Sequence, residues 1–562
     1  MASVFLSMIV VLTSLGMAIW GWGSSSRKLS LLQHQFQHIQ QTLADSQHQL
    51  ERQTQELQRQ TERLRETETI SQQMHRQYEQ ARQQIQQLQT QCQTLQSQRT
   101  RLQQELKTTW AMHLARQAQD LVFVQPRHAL LLASEAARIF LEQGLQPDLT
   151  LEQSLHDALV QLGYGRLEGQ GAGVSALTLS RDGRWLITGS EDQTIRLWDL
   201  SGPKPVLADS LRAHTGTIRL VLLTPDQRRL ITAGQDGRIF LWNLSSETSR
   251  SQPQLVGTQE GQILVGAISS DGRWLVTGGG SPFQKDYTAR LWDLQANPPG
   301  SGSIPLRGHQ RPIRTIVISP DLRWVITAGE DRTIRLYHLR ARNPAAEQQI
   351  LTGHEKTITQ LAVTPNSRWL LSASCDGATR LWNLQAPEPA KESHLLQGHT
   401  DGVDALAIDG RSRWIATGSA DGTIRLWDLE APNPSAASIL LKGHEGPVHA
   451  VAFTPDGQTL LSASADRTVR LWDLSDSDPN EKVLILRGHR GAVRWLALSE
   501  DGRLLVTASE ETPAAGAEWV RLWRIQQKDV LAEARRIIDQ IFSEKDQEEI
   551  LASLRALGSL KR

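Results

Sequence analysis

The sequence predicts a mainly β chain. Its larger part is an array of eight repeats of about four short strands each, preceded by an apolar helix, a long α-helical rod and a short helical collar. Three observations carry this reading. No Gly or Pro occurs from Ser24 to Gln125, whereas all 22 prolines and all 41 glycines fall outside that stretch. Apolar residues recur every 3.5 positions from Leu29 onward, which marks supercoiled helix. From Gly163 the chain aligns with itself in units of 44 to 51 residues, each ending in a variant of LLSASADRTVRLWDL (460–474).

The elements follow in order. Residues 3–22 run 20 positions without a charge, enough at 1.5 Å per residue to span about 30 Å of hydrocarbon. Trp20 and Trp22 close the run, and Arg27 with Lys28 follow it. A cleaved signal peptide needs a positive segment ahead of the apolar run, and none is present. The expectation is an uncleaved anchor with the rest of the chain cytoplasmic. The single thiol of the repeats, Cys375, agrees with a reducing compartment.

The rod's first seam runs through Leu29, Phe36, Leu43, Leu50, Leu57, Leu64, Ser71, Tyr78, Ile85, Cys92, Arg99 and Leu106. Its second holds Leu32, Ile39, Met74, Ala81, Leu88, Leu95 and Leu102, with polar Ser46, Gln53, Gln60 and Thr67 between them. Of the 72 residues from Gln33 to Gln104, 26 are Gln, but a disordered Gln tract would not hold leucine at heptad spacing. With no Gly or Pro to fold the rod back, the partner strand is expected from another copy, giving a dimer or trimer. Next, Pro126 opens one collar helix that Gly144 ends. Thr150 with Gln153 has capping-box spacing for a second, closed by Gly163. The boundaries become 1–26 for the anchor, 27–107 for the stalk, 108–163 for the collar, 164–525 for the repeats and 526–562 for C-terminal helices.

Within a repeat, runs such as VHAVAFTP, QTLLSAS and RTVRLWDL alternate apolar and polar residues between Asp- and Gly-bearing turns, the signature of half-buried strands. The unit-ending aromatics are Trp198, Trp242, Trp292, Tyr337, Trp382, Trp427, Trp472 and Trp523. They account for much of an unusual composition, 17 Trp against 8 Phe and 4 Tyr.

These units resemble the WD-repeat β-propeller family, over about 165–525. The resemblance implies an eight-bladed ring, each blade stiffened by a relay of His, Ser or Thr, Asp and the strand-end Trp. Full sets occur as His214, Thr232, Asp236, Trp242; His354, Ser372, Asp376, Trp382; His399, Thr417, Asp421, Trp427; and His444, Ser462, Asp466, Trp472. A buried imidazole needs an acceptor and a buried carboxylate needs donors, so each relay answers both demands. Departures occur where Gln170 and Thr258 stand for His in units one and three, where Tyr337 ends unit four after His309, Thr327 and Asp331, and where unit eight (His489, Thr507, Trp523) lacks Asp at the expected place. Units three and eight also carry insertions, 278–287 and 509–519, expected on the rim of the His turns. Arg precedes the strand-end aromatic by two positions in seven units, and Trp185, Trp274, Trp324, Trp369 and Trp414 open the preceding strand. Cation–π stacking between these neighbouring strands is the expected use. Segment YGRLEG (164–169) is expected to pair with the blade ending at Ile525 and close the ring.

Composition narrows function. Lys plus Arg (60) balance Asp plus Glu (60), which gives no electrostatic case for nucleic acid. Two distant cysteines, Cys92 and Cys375, build neither a disulfide framework nor a thiolate metal site. No phosphate loop, HExxH or GxSxG is present, and a His–Asp pair repeated around a ring is not one convergent site. The expectation is a chain with no catalytic, metal-binding or cofactor residues. It is read as a membrane-tethered scaffold docking partner proteins on the propeller's top face, with a regulatory sensor recruiting a separate signalling effector as the alternative. Candidate contacts on that face are Glu191, Gln235, Glu330, Arg311, Lys356, Asp401, Glu445 and Arg490.

Overall fold

Alternating runs become strands wherever an Asp-bearing turn reverses the chain. In blade one, β1 (Val174–Leu179), β2 (Trp185–Ser190), β3 (Thr194–Asp199) and β4 (Val206–Arg212) form an antiparallel sheet in sequence order. The turn from β1 to β2 is held by Asp182, whose carboxylate accepts the Ser180 hydroxyl at 2.5 Å and the Arg184 N–H at 3.0 Å. Gly183, at φ +68°, supplies the left-handed residue. Six further four-stranded sheets repeat this order, and the eighth has three strands, Ala492–Leu498, Leu504–Glu510 and Val520–Arg524. The computed structural model describes residues 26–64, 71–167, 169–170, 172–202, 204–245, 252–280, 286–341, 344–475, 478–510, 520–543, 545–547, 549–550 and 552. The chain divides into two compact units, 159–530 and 1–158 with 531–562.

In the larger unit the eight sheets form an eight-bladed β-propeller, whose core lies between blades. One cluster joins Trp324, Ile326 and Leu336 of blade four to Ile358, Leu370 and Trp382 of blade five. Close approach demands small residues late in each second strand. A Cβ on Gly418 would lie 2.5 Å from Val448 Cγ1 of the next blade, and one on Gly278 would lie 2.7 Å from Ile316 Cδ1.

Both ends of the array meet at blade eight, as expected. Leu522 N donates to Gly165 O at 2.7 Å, Leu167 N donates to Val520 O at 3.2 Å, and Arg166 bridges to Arg521 antiparallel. Leu167 is buried with Val174, Leu186, Trp198, Val506 and Val520. The stray N-terminal strand therefore completes the last sheet and leaves no gap between first and last blades.

The smaller unit is helical, with α1 (Ser26–Leu64), α2 (Ser71–Leu121), α3 (Pro126–Glu142) and most of α4 (Leu149–Gln161) and α5 (Gln527–Ile541), and the boundaries between the two units fall within α4 and α5. Here three expectations are corrected. The rod is not continuous, because α1 and α2 pack antiparallel. Gln53 Nε2 donates to Gln84 Oε1 at 2.9 Å, and the Arg99 guanidinium lies 5.9 Å from the Phe36 ring centre. The partner for the α1 seam is supplied by the same chain, and Phe36 and Leu43 are buried. The cap of α4 is Asp148, whose Oδ1 accepts Leu151 N at 2.9 Å, and Thr150 lies inside the helix. Finally, the reading as a single-pass membrane protein does not stand. Among the described residues no helix is long and apolar enough to cross a membrane, since α1 and α2 carry Gln, Arg and Glu throughout. Residues 3–22, on which that reading rested, lie outside the described residues, as do residues 553–562 of the expected C-terminal helices. The ring of His128 on α3 meets Phe542 edge-on at 6.0 Å, which sets the segment after α5 beside the collar.

Candidate functional site: the relays and the rim they shape

Each relay begins at the strand-end Trp, which must bury an indole N–H and therefore needs an acceptor. In blade seven Trp472 Nε1 donates to Ser462 Oγ at 2.8 Å, Ser462 lies 2.8 Å from His444 Nε2, and His444 Nδ1 lies 2.7 Å from Asp466. The carboxylate can only accept, which fixes the proton on Nδ1 and leaves Nε2 to accept from the hydroxyl. Asp466 also accepts the Glu445 and Thr468 N–H groups, at 3.1 and 2.9 Å, and so ties two turns together.

The same geometry recurs in the other full sets. His214 lies 2.9 Å from Thr232 and 3.0 Å from Asp236, and Trp242 donates to Thr232 at 2.9 Å. His354 lies 2.7 Å from Ser372 and 2.9 Å from Asp376, with Trp382 donating to Ser372 at 2.9 Å. His399 lies 2.8 Å from Thr417 and 3.3 Å from Asp421, with Trp427 donating to Thr417 at 2.9 Å. Blade four keeps His309, Thr327 and Asp331 at 2.7 and 2.8 Å, and its Tyr337 hydroxyl donates to Arg307 O at 3.2 Å.

Glutamine does the work of histidine in two blades. Gln170 is buried, and its Nε2 donates to the Thr188 hydroxyl at 2.8 Å, the reverse of the direction in the His relays. In blade three the residue is Gln259 rather than Thr258, which is exposed at the end of its strand. Gln259 Nε2 donates to Thr288 O at 2.9 Å, which orients Oε1 to accept from Thr277 at 2.7 Å, and Trp292 donates to Thr277 at 2.9 Å. The signal was in the sequence: every relay His precedes its Ser or Thr by 18 positions, and so do Gln170 and Gln259.

Electrostatics follow from burial. Burial pushes the imidazoles of His354, His399 and His444 below their ordinary value, although each carboxylate pulls the other way. Burial alone would raise Asp421, but the Thr423 hydroxyl, the Thr400 and Thr423 N–H groups and His399 hold it at about 2. His489 has Thr507 at 2.6 Å, but its Nδ1 has no partner among the described residues. Burial, then Arg521, pushes it down to about 3. A histidine lowered on folding stays neutral while its unfolded counterpart protonates. Its contribution is full above about 6.5 and is lost as pH falls toward the folded value. Thermal unfolding should therefore show a melting temperature that drops steadily from pH 6.5 to 4. His489→Gln, copying blades one and three, should flatten that slope, and an unchanged slope would show that His489 does not drive it.

Among the described residues the recurring Arg of the third strand does not stack on the strand-opening Trp of its neighbour. It lies over the strand-end Trp of its own strand, at 6.0, 5.9, 6.0 and 6.0 Å for Arg380, Arg425, Arg470 and Arg521. Arg380 and Arg425 also donate to Gly353 O and Gly398 O at 3.0 Å. This closes over the glycine of each Gly-His pair, and a Cβ on Gly308 (φ +142°) would meet Arg335 Nη1 at 2.4 Å. The strand-opening Trp stacks instead with the Arg just before it, as Arg273 over Trp274 at 4.7 Å.

The relays fold the His turn against the turn between second and third strands. Backbone bonds join them in successive blades: Glu191 N to Gly173 O, Gln235 N to Thr217 O, Gly280 N to Gln262 O, Glu330 N to Pro312 O and Cys375 N to Thr357 O. The eight candidate contacts all belong to these two kinds of turn, and so to one rim. Glu191, Arg311, Lys356, Asp401, Glu445 and Arg490 are exposed, while Gln235 and Glu330 are half-buried. Sequence reasoning missed that Glu330 is paired, with Arg314 at 2.6 Å, and that Arg494 pairs with Glu510 in the same way, also at 2.6 Å. Among the described residues no group of His, Cys, Asp and Glu could hold a metal ion.

Eight blades, relays at the 22-residue His-to-Asp spacing and a strand-end Trp decide the family. The model for the WD domain, G-beta repeat, matches residues 164–199, 206–243, 253–293, 302–338, 346–383, 390–428, 437–473 and 480–512, together more than half of the chain. The chain belongs to the WD-repeat family. Among curated proteins it is similar to the "Target of rapamycin complex subunit wat1" of Schizosaccharomyces pombe, 26% identical over 164 residues, which is 29% of this chain and 50% of that protein. The chain thus spans about half the length of that relative.

Proposed function

We propose that this WD-repeat protein is a non-catalytic scaffold whose propeller docks partner proteins on the rim built by the relay turns. One observation carries the reading. The relays bind the ring's recurrent His and Asp side chains to structural partners blade by blade, and what the rim offers outward is a set of exposed charged side chains on rigid turns. Glu191, Gln235, Glu330, Arg311, Lys356, Asp401, Glu445 and Arg490 are its proposed contacts. Rigid turns lower the entropy cost of association. Support also comes from the relative, whose name makes it a subunit of a complex, and from the typical use of such propellers as interaction scaffolds.

The test is affinity purification of the full chain beside a Lys356→Glu, Arg490→Glu double variant and a control, Lys391→Glu, in the connector between the third and fourth strands of blade five. Charge reversal at two exposed contacts should weaken a specific partner at least about tenfold, with the control unchanged. A partner retained by the rim variant and lost by the control would overturn the reading.

A further inference from the structure

The α1–α2 arm carries a second surface, independent of the rim. In an antiparallel helix pair each apolar seam should be covered about equally. Here the cover is uneven. Phe36 and Leu43 of α1 are 2% and 4% exposed, whereas Ile85, Leu88, Cys92 and Leu95 of α2 are only half-buried. Alongside them runs a cleft of about 970 Å³, lined by Thr42 of α1 and by glutamines, threonines and Leu95 of α2 from Gln83 to Gln98. The cleft's lining contains no charged residue, although Arg82, Arg99 and Arg101 lie close by on the same helix.

We infer that this flank of α2 is a homodimer interface, occupied by the same flank of a second copy of this chain. An uncharged strip of amides and hydroxyls both donates and accepts, so it complements itself. A two-fold interface requires that property, because the same patch must serve both partners. The arm already shows the pairing, in the Gln53–Gln84 amide bond between its own helices. A half-buried apolar flank beside a polar strip also has the layout of an interface core and rim. Two hairpins joined this way bury the α2 seam in a four-helix bundle. Thr90 and Gln91 fall midway between Gln83 and Gln98, so a two-fold axis through the strip sets each copy's Thr90 and Gln91 against the other's.

That placement gives the test. Sedimentation of the full chain at micromolar concentration should report twice the 62.7 kDa chain mass. Thr90→Lys with Gln91→Lys should give single chains through like-charge contact at the axis, as should Thr90→Glu with Gln91→Glu. Both positions are exposed, and circular dichroism should show unchanged helix content. Mixing the Lys and Glu variants should restore the doubled mass. A wild-type chain that sediments as a monomer would overturn the inference, and so would a dimer that both variants leave intact.

Discussion

Replacing Gly165 by valine is expected to break ring closure and lower the stability of the propeller by about 3 kcal/mol or more, as a strained backbone adds to lost hydrogen bonds. Gly165 sits at φ +75°, and a Cβ there would lie 2.3 Å from the Leu522 carbonyl oxygen. That oxygen belongs to the strand that Gly165 must pair with, so the clash cannot be relieved while Leu522 N still reaches Gly165 O. Separation would expose Leu167 and open the seam between blades eight and one. Gly457→Val is the control, because Gly457 has a similar φ of +70° with nothing within 4 Å of its would-be Cβ. It should cost only about 1 kcal/mol of backbone strain. Equal losses for the two variants in thermal unfolding would mean that the N-terminal strand does not hold the ring closed.

Asp466→Ala should be at least as damaging. Removing the carboxylate leaves the His444 Nδ1–H and the N–H groups of Glu445 and Thr468 without their acceptor. Stranding one partner of a buried charged network costs about 3–5 kcal/mol. His444 is buried and cannot turn to water without pulling its Nε2 from Ser462. The carboxyl is held well below its ordinary value by His444 and Thr468 against the opposing effect of burial. A depressed carboxyl stabilises above its unfolded value, near 3.8, and loses that contribution as pH falls toward the folded one. The variant should therefore melt lower than wild type at pH 7, with the gap closing in strong acid. A gap that stays constant down to unfolding would show that the loss is one of packing rather than of charge.

Much of this architecture was legible because it is written eight times. One blade's spacing is a weak signal, but His–Asp at 22 and Trp near 45 repeated around the chain leave few other folds. Reading failed where a rule depended on residue identity rather than position. Gln259 was passed over for Thr258 because neither is His, although the 18-residue offset from Thr277 selects Gln259. Heptad periodicity shows that a seam exists but not which helix covers it, so the reversal between α1 and α2 was invisible. Asp148 was missed as a cap because Thr150 and Gln153 offered a better-known spacing. The apolar run 3–22 was read by length and hydropathy alone, and no described helix bears out a membrane span. Of the rim, the sequence placed the exposed charges but not the Arg314–Glu330 and Arg494–Glu510 pairs, which join residues 16 positions apart.

Site-specific photo-cross-linking tests the central claim, docking on the relay rim, most directly. A photoreactive phenylalanine would be placed at Lys356 on that rim and, separately, at Lys391 in the connector at the other end of blade five. The account predicts that irradiation of the full chain yields a discrete cross-linked partner from position 356, lost when Asp401→Lys and Glu445→Lys are added, and none from position 391. A discrete partner captured only from position 391 would contradict it.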